Sequence, residues 1–124
     1  MVHNPEFERL VARAKETIQE TVVSEVKVRV DRGDPLYFID VREDHEWQKG
    51  HAEGAIHVGR GILERDIERH IPDKDVVIIL YCGGGYRSAL AAINLVEMGY
   101  TRVRSMAGGY KAWLEAGYPV SHVT

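Results

Sequence analysis

The run "VVIILYC" (residues 76–82) constrains this chain more than any other stretch. It is apolar throughout and rich in β-branched residues, too short for a buried helix but suited to a strand covered on both faces. Strands of that kind occur almost only in parallel sheets packed between helices. "LYFIDV" (36–41) repeats the pattern, and "AIHV" (55–58) and "RVRSM" (102–106) are shorter strand candidates. Helical segments separate them: "ILERDIERHI" carries Ile62, Leu63, Ile67 and Ile71 on one face, "RSALAAINLVEMG" stops at Gly99, and "GYKAWLEAG" stops at Gly117 with Pro119 close behind. Strands alternating with helices over short loops predict an α/β domain, a small, mostly parallel sheet flanked by helices on both faces.

At the start, Asn4–Pro5 reads as a cap followed by a first helical residue, and Phe7, Leu10, Val11, Ala14 and Ile18 then recur at helical spacing, predicting an amphipathic helix over roughly 5–19. "SEVKVRVDRGD" supports two readings. Val26, Val28 and Val30 alternate with charges as in a strand, whereas Val22, Val26 and Val30 share a helix face. The alternation favours the strand. A length of 124 residues fits one domain with its own core. A formal net charge of −3 and the lack of a clustered Lys/Arg stripe argue against a nucleic-acid partner. The charged opening has no apolar leader, and no run approaches a membrane span, so the expectation is a cytoplasmic protein without a membrane partner.

The chain has a single cysteine, Cys82, set between the apolar run and three glycines in "YCGGGYRS" (81–88). A lone buried cysteine is ordinarily a small apolar filler. Here its position at the carboxyl end of the most apolar strand is where α/β sheets put their ligand sites. Gly83, Gly84 and Gly85 allow successive N–H groups to turn inward as an anion-binding nest. The helix starting near Arg87–Ser88 adds its positive end, and Arg87 adds a fixed cation. All three favour a thiolate at Cys82 and an anionic adduct on its sulfur. No Gly-Lys-Ser/Thr follows, which argues against a nucleotide phosphate loop.

Four collinear blocks, "FIDVRE" (38–43), "GHAEGAIHV" (50–58), "VVIILYCGGGYRSALAAINLVEMGY" (76–100) and "MAGGYKAW" (106–113), resemble the single-domain rhodaneses, a family of sulfurtransferases. The resemblance runs from about residue 22 to 120. It implies a five-strand sheet with strand at Val22–Val23 and a short helix at Ser24–Asp31, in a rhodanese-like domain over 21–124; the N-terminal helical extension over 1–20 lies outside the resemblance. It also implies that Cys82 accepts a sulfane sulfur as a persulfide and that Gly83, Gly84, Gly85, Tyr86 and Arg87 complete its substrate-binding loop. Asp40, Arg42 and Ser88 are then expected to support the site, with Arg42 pairing to Glu43 or Glu46. The implied partners are a small sulfur donor such as thiosulfate and a thiol or cyanide acceptor, a protein thiol included, with no cofactor. The chain departs from the family pattern at Gly83, where an arginine often follows the cysteine, leaving Arg87 as the loop's only cation. It departs again at Ala52–Glu53, in place of a frequent Ile-Pro pair.

Two rival readings stand beside sulfur transfer. One is a non-catalytic binding or sulfur-carrier module. The other is a phosphatase or arsenate reductase, whose cysteine loops have one residue more between Cys and Arg than the "GGGY" here. His51 and His57 lack further ligands for a metal site, so none is expected. Trp47 and Trp113 read as packing aromatics. Tyr86, inside the loop, is read equally as a packing residue and as a shaper of substrate entry.

Overall fold

The computed structural model describes residues 3–122; residues 1–2 and 123–124, which the expected extension and domain include, lie outside the described residues. The elements run α1 (Pro5–Lys15), β1 (Gln19–Thr21), α2 (Val23–Asp31), β2 (Tyr37–Asp40), α3 (Asp44–Lys49), β3 (His51–Ala52), β4 (Ile56–His57), α4 (Arg60–His70), β5 (Val77–Tyr81), α5 (Tyr86–Glu97), β6 (Arg102–Met106), α6 (Gly109–Glu115) and β7 (Val120–Ser121). Five strands form one sheet in the order β1-β6-β5-β2-β4, every pair parallel, while β3 and β7 make a small antiparallel pair. The α/β architecture expected from the apolar runs is the architecture observed.

β5 is the central strand, and its side chains divide the core. Ile78 and Leu80 face one side with Leu63 and Ile67 of α4 and Ala91, Ala92 and Leu95 of α5. Ile79 and Tyr81 face the other with Val26 of α2 and Trp113 of α6. Burial of both faces is the physical reason this strand reads as an unbroken apolar run rather than an alternating one. Each such fully buried side chain contributes roughly 1.5–3 kcal/mol over exposure. α1 forms an outer layer, with Val11 and Ala14 buried against Ala89 and Leu90 of α5.

One local expectation is met and two are corrected. The segment 24–31 is helical, as the resemblance implies, and not the strand that its alternation alone favours. Val23, Val26 and Val30 turn toward Phe38 and Ile79, while Val28 points to solvent at 52% exposure, a three-and-four spacing that only a helix produces. The first strand is Gln19–Thr21 rather than Val22–Val23, because pairing with Arg104–Met106 of β6 ends there; Val22 is the extended cap residue of α2 and Val23 is already helical. α1 ends at Lys15 rather than near residue 19, the chain turning at Thr17 and Ile18 to enter β1.

Candidate functional site

Cys82 leaves the end of β5 on the face covered by α4 and α5, and its side chain is 1% exposed. The chain then reverses through Gly83, Gly84 and Gly85 into α5. Gly85 stands at φ +97°, a left-handed conformation that side-chain-bearing residues rarely adopt, and a Cβ there would come within 3.2 Å of the Gly108 amide nitrogen. The turn brings the Gly85 N–H to 3.2 Å and the Ser88 N–H to 3.3 Å from the Cys82 Sγ, both donating to sulfur. The Cys82 thiol donates to Ser88 Oγ at 3.5 Å, and Ser88 Oγ in turn lies 2.7 Å from Ser105 Oγ at the end of β6. Among the described residues, the amides of Gly83, Gly84, Tyr86 and Arg87 donate to no protein acceptor. The loop therefore holds two amides on the sulfur and further donors around it, the composition of an anion nest.

α6 braces the loop from outside. Tyr110 N–H donates to the Cys82 carbonyl at 2.8 Å and Lys111 N–H to the Gly83 carbonyl at 3.0 Å. A side chain at Gly109 would collide with the Cys82 carbonyl oxygen and the backbone of Gly83, so "AGG" permits this contact.

Arg87 extends from the first turn of α5 to Glu46 on α3, with Nη1 to Oε1 at 2.7 Å and Nη2 to Oε2 at 3.1 Å. The hydrogen bonds from Arg87 are the main reason that the Glu46 carboxyl is pulled down to about 2. The Arg87 guanidinium is raised in return, first by Glu46 and then by the neighbouring Cys82 sulfur. Glu46 also accepts from its own cap residue, Glu43 N–H, completing a capping box at the start of α3.

Asp40 and Arg42 pair with each other. Arg42 Nε lies 3.1 and 3.0 Å from the two Asp40 oxygens and Nη2 lies 2.8 Å from Oδ2, with a further bond from Nη2 to the Gly50 carbonyl at 2.7 Å. The expected pairing of Arg42 with Glu43 or Glu46 is thus corrected: Asp40, two residues back on β2, captures the guanidinium inside the protein, and Glu46 is taken by Arg87. Burial alone would lower the Arg42 guanidinium's affinity for its proton, but the hydrogen bonds and charge of Asp40 outweigh it and the net shift is upward.

Above Cys82 opens a cleft of about 800 Å³ lined by the loop, by Arg87 and Glu46, by Lys111 and Ala112 of α6, and by His3, Phe7 and Tyr86. The structure thus unites Cys82, Gly83, Gly84, Tyr86 and Arg87 around one space, with Gly85 and Ser88 beneath the sulfur, whereas Asp40 and Arg42 do not line it. Sequence reasoning misses Lys111, a second cation at the cleft, and His3 and Phe7, which reach it from the start of the chain. Only the "AGGYK" block hints at the former. Trp47 stacks between His51 and His57, with ring centroids 3.4 and 5.0 Å away. Among the described residues no cluster of three or more His, Cys, Asp or Glu is placed to hold a metal ion, and no helix is long and apolar enough to cross a membrane.

A cysteine cupped by amides at the end of the central strand of this sheet defines a class that the sequence comparisons name. Residues 22–116 match the rhodanese-like domain family, and the chain belongs to it. It is 39% identical over 75 residues to the thiosulfate sulfurtransferase PspE of Escherichia coli, covering 60% of this chain and 71% of that one. It is 33% identical over 92 residues to the mitochondrial protein High Arsenic Content 1 of Arabidopsis thaliana, covering 65% of this chain and only 54% of the relative's length. Among solved structures, a Rhodopseudomonas palustris protein described as of unknown function and a possible tyrosine phosphatase superposes with a TM-score of 0.83 at 25% identity, covering 98% of both chains.

Proposed function

We propose that this chain is a sulfurtransferase that carries sulfane sulfur on Cys82. The supporting observation is the Cys82 Sγ itself, receiving the Gly85 and Ser88 N–H groups at the floor of an open cleft. In the first half-reaction the Cys82 thiolate attacks the terminal sulfur of a donor such as thiosulfate. The sulfur–sulfur bond of the donor breaks, its electron pair leaves with sulfite, and Cys82 holds a persulfide. In the second, a thiol, protein thiol or cyanide attacks the outer sulfur and the electron pair of the persulfide bond returns to Cys82 as thiolate. This is two-step covalent catalysis. The free amides of Gly83, Gly84, Tyr86 and Arg87 are donors for the outer sulfur's negative charge, in the manner of an oxyanion hole. Arg87, held by Glu46, fixes the far side of the loop.

Intact-protein mass spectrometry tests this. The wild-type protein is expected to gain one sulfur atom from thiosulfate and to lose it to a thiol, while Cys82→Ser, assayed after its fold is checked, gains none. A persulfide that forms but is never passed on marks a carrier module instead. Because the similar Rhodopseudomonas protein is described as a possible tyrosine phosphatase, aryl phosphate is the control substrate. Its hydrolysis without persulfide formation overturns the proposal. With only four residues between Cys82 and Arg87, the cup suits a sulfur atom better than a phosphoryl group.

A further inference from the structure

One wall of the Cys82 cleft comes from outside the family segment. His3 and Phe7 precede residue 22, where the family match begins, yet both line the cleft. They pack on Tyr86 of the loop, with ring centroids 4.2 Å apart for His3–Tyr86, 5.8 Å for Phe7–Tyr86 and 5.3 Å for His3–Phe7. α1 is held there by Val11 and Ala14, buried against Ala89 and Leu90. The cavity of about 800 Å³ sits within the roughly 300–1,000 Å³ of pockets that enclose organic ligands. It is far larger than an inorganic sulfur anion fills. Charge argues the same way. The Arg87 cation is matched by Glu46, and the other charged side chains lining the space, Lys111 and Glu115, are of opposite sign. The side chains lining the space thus bring an inorganic dianion no net positive charge beyond the loop amides, whereas an aromatic group meets two rings.

We infer that the preferred sulfur donor carries an aromatic group, seated against Phe7 and Tyr86 with its sulfane sulfur directed at Cys82, so that α1 determines donor specificity. This rests on the sulfurtransferase reading and narrows it. With an aryl thiosulfonate, the Cys82 thiolate attacks the terminal sulfur, the sulfur–sulfur bond breaks, and its electron pair leaves with the aryl sulfinate; Cys82 keeps the sulfur as persulfide. No other reactant enters the step.

The experiment compares benzenethiosulfonate with thiosulfate at a common thiol acceptor. Each kcat/KM is divided by the uncatalysed rate of the same donor with that thiol, which removes the donors' intrinsic reactivity. The normalised ratio is expected to favour the aryl donor by about tenfold or more. Phe7→Leu, which keeps an apolar anchor for α1 but removes the ring, is expected to lower the ratio about 3- to 10-fold. Phe7→Tyr, which retains the ring, is expected to preserve it. A wild-type ratio of one or below overturns the inference, as does a ratio that Phe7→Leu leaves unmoved or that both variants lower equally. If neither donor places sulfur on Cys82, the sulfurtransferase reading itself falls. If thiosulfate loads Cys82 and the aryl donor has no advantage, only the donor class falls.

Discussion

Two arginine–carboxylate pairs stand near Cys82, alike in chemistry and opposite in setting. Asp40 is fully buried and Arg42 is 5% exposed, whereas the Arg87 and Glu46 side chains are 31% and 26% exposed. Arg42 also donates from Nη2 to the Gly50 carbonyl and has the Tyr110 ring 4.2 Å from its guanidinium. It ties the end of β2 to the α3–β3 junction and to α6, and none of it faces the cleft. Arg87 makes its bidentate contact from the rim and borders the cavity. The same kind of ion pair is enclosed at Asp40–Arg42 and open to water at Glu46–Arg87.

The largest expected effect breaks the buried pair. Asp40→Asn leaves the Arg42 cation inside the protein with a neutral partner, a loss of about 3–5 kcal/mol in unfolding free energy, read from denaturant midpoints. Replacing both residues by apolar ones of similar volume is expected to cost less than the single change. A single variant as stable as wild type would dissolve the distinction between the two pairs.

Next is the rim. Under the proposed chemistry, Arg87→Ala removes a cation and leaves the Glu46 carboxylate facing the incoming donor. Donor kcat/KM is expected to fall roughly tenfold, the scale of one lost charged hydrogen bond, with unfolding free energy moving far less than for Asp40→Asn. Tyr86→Phe, which keeps the ring, is expected to fall less than Arg87→Ala; equal small losses would leave the loop amides as the whole site. Smaller again is Glu46→Gln. It releases Arg87 from its counter-charge while its amide oxygen still caps α3, and thiosulfate KM is expected to drop about two- to fivefold by the Coulomb gain at a partly wetted site. A rise in KM would show that Glu46 serves Arg87 as a positioning group rather than as a charge brake.

This division is only half legible in the sequence. β5 and the Cys82 loop can be read because their determinants are contiguous: a run buried on both faces, then glycines at the one place where φ +97° is needed. α2 misleads because its valines satisfy both periods, and only the burial of Val26 against exposure of Val28 separates them. α3, β3 and β7 leave no signal, being a helix of six residues and strands of two whose pairing is set by the rest of the fold. Arg87 and Glu46 lie 41 positions apart, so no local pattern joins them, and proximity along the chain points Glu46 at the nearer Arg42. Phe7 and Lys111 reach the cleft through packing of α1 and α6 on opposite sides of the sheet.

The smallest effect is the most diagnostic of the rim pair, because it isolates one proton. The Glu46 carboxyl, ordinarily at 4.5, is held at about 2 by Arg87. Its folded-state value lies below its unfolded one, so the pair's contribution to stability is complete above 4.5 and is lost as pH falls toward about 2. For a partly exposed pair that contribution is at most about 1 kcal/mol. Unfolding midpoints of wild type and Glu46→Gln are therefore expected to differ by a constant small amount from neutral pH down to about 5, and to converge between there and about pH 2. Salt is expected to shrink the difference, since both groups touch solvent. Asp40→Asn measured on the same scale gives the contrast: its deficit is larger, and its buried partner is expected to make it far less sensitive to salt. A Glu46→Gln difference that stays undiminished at pH 2 would mean that the charge of the carboxylate against Arg87 is not what the protein uses.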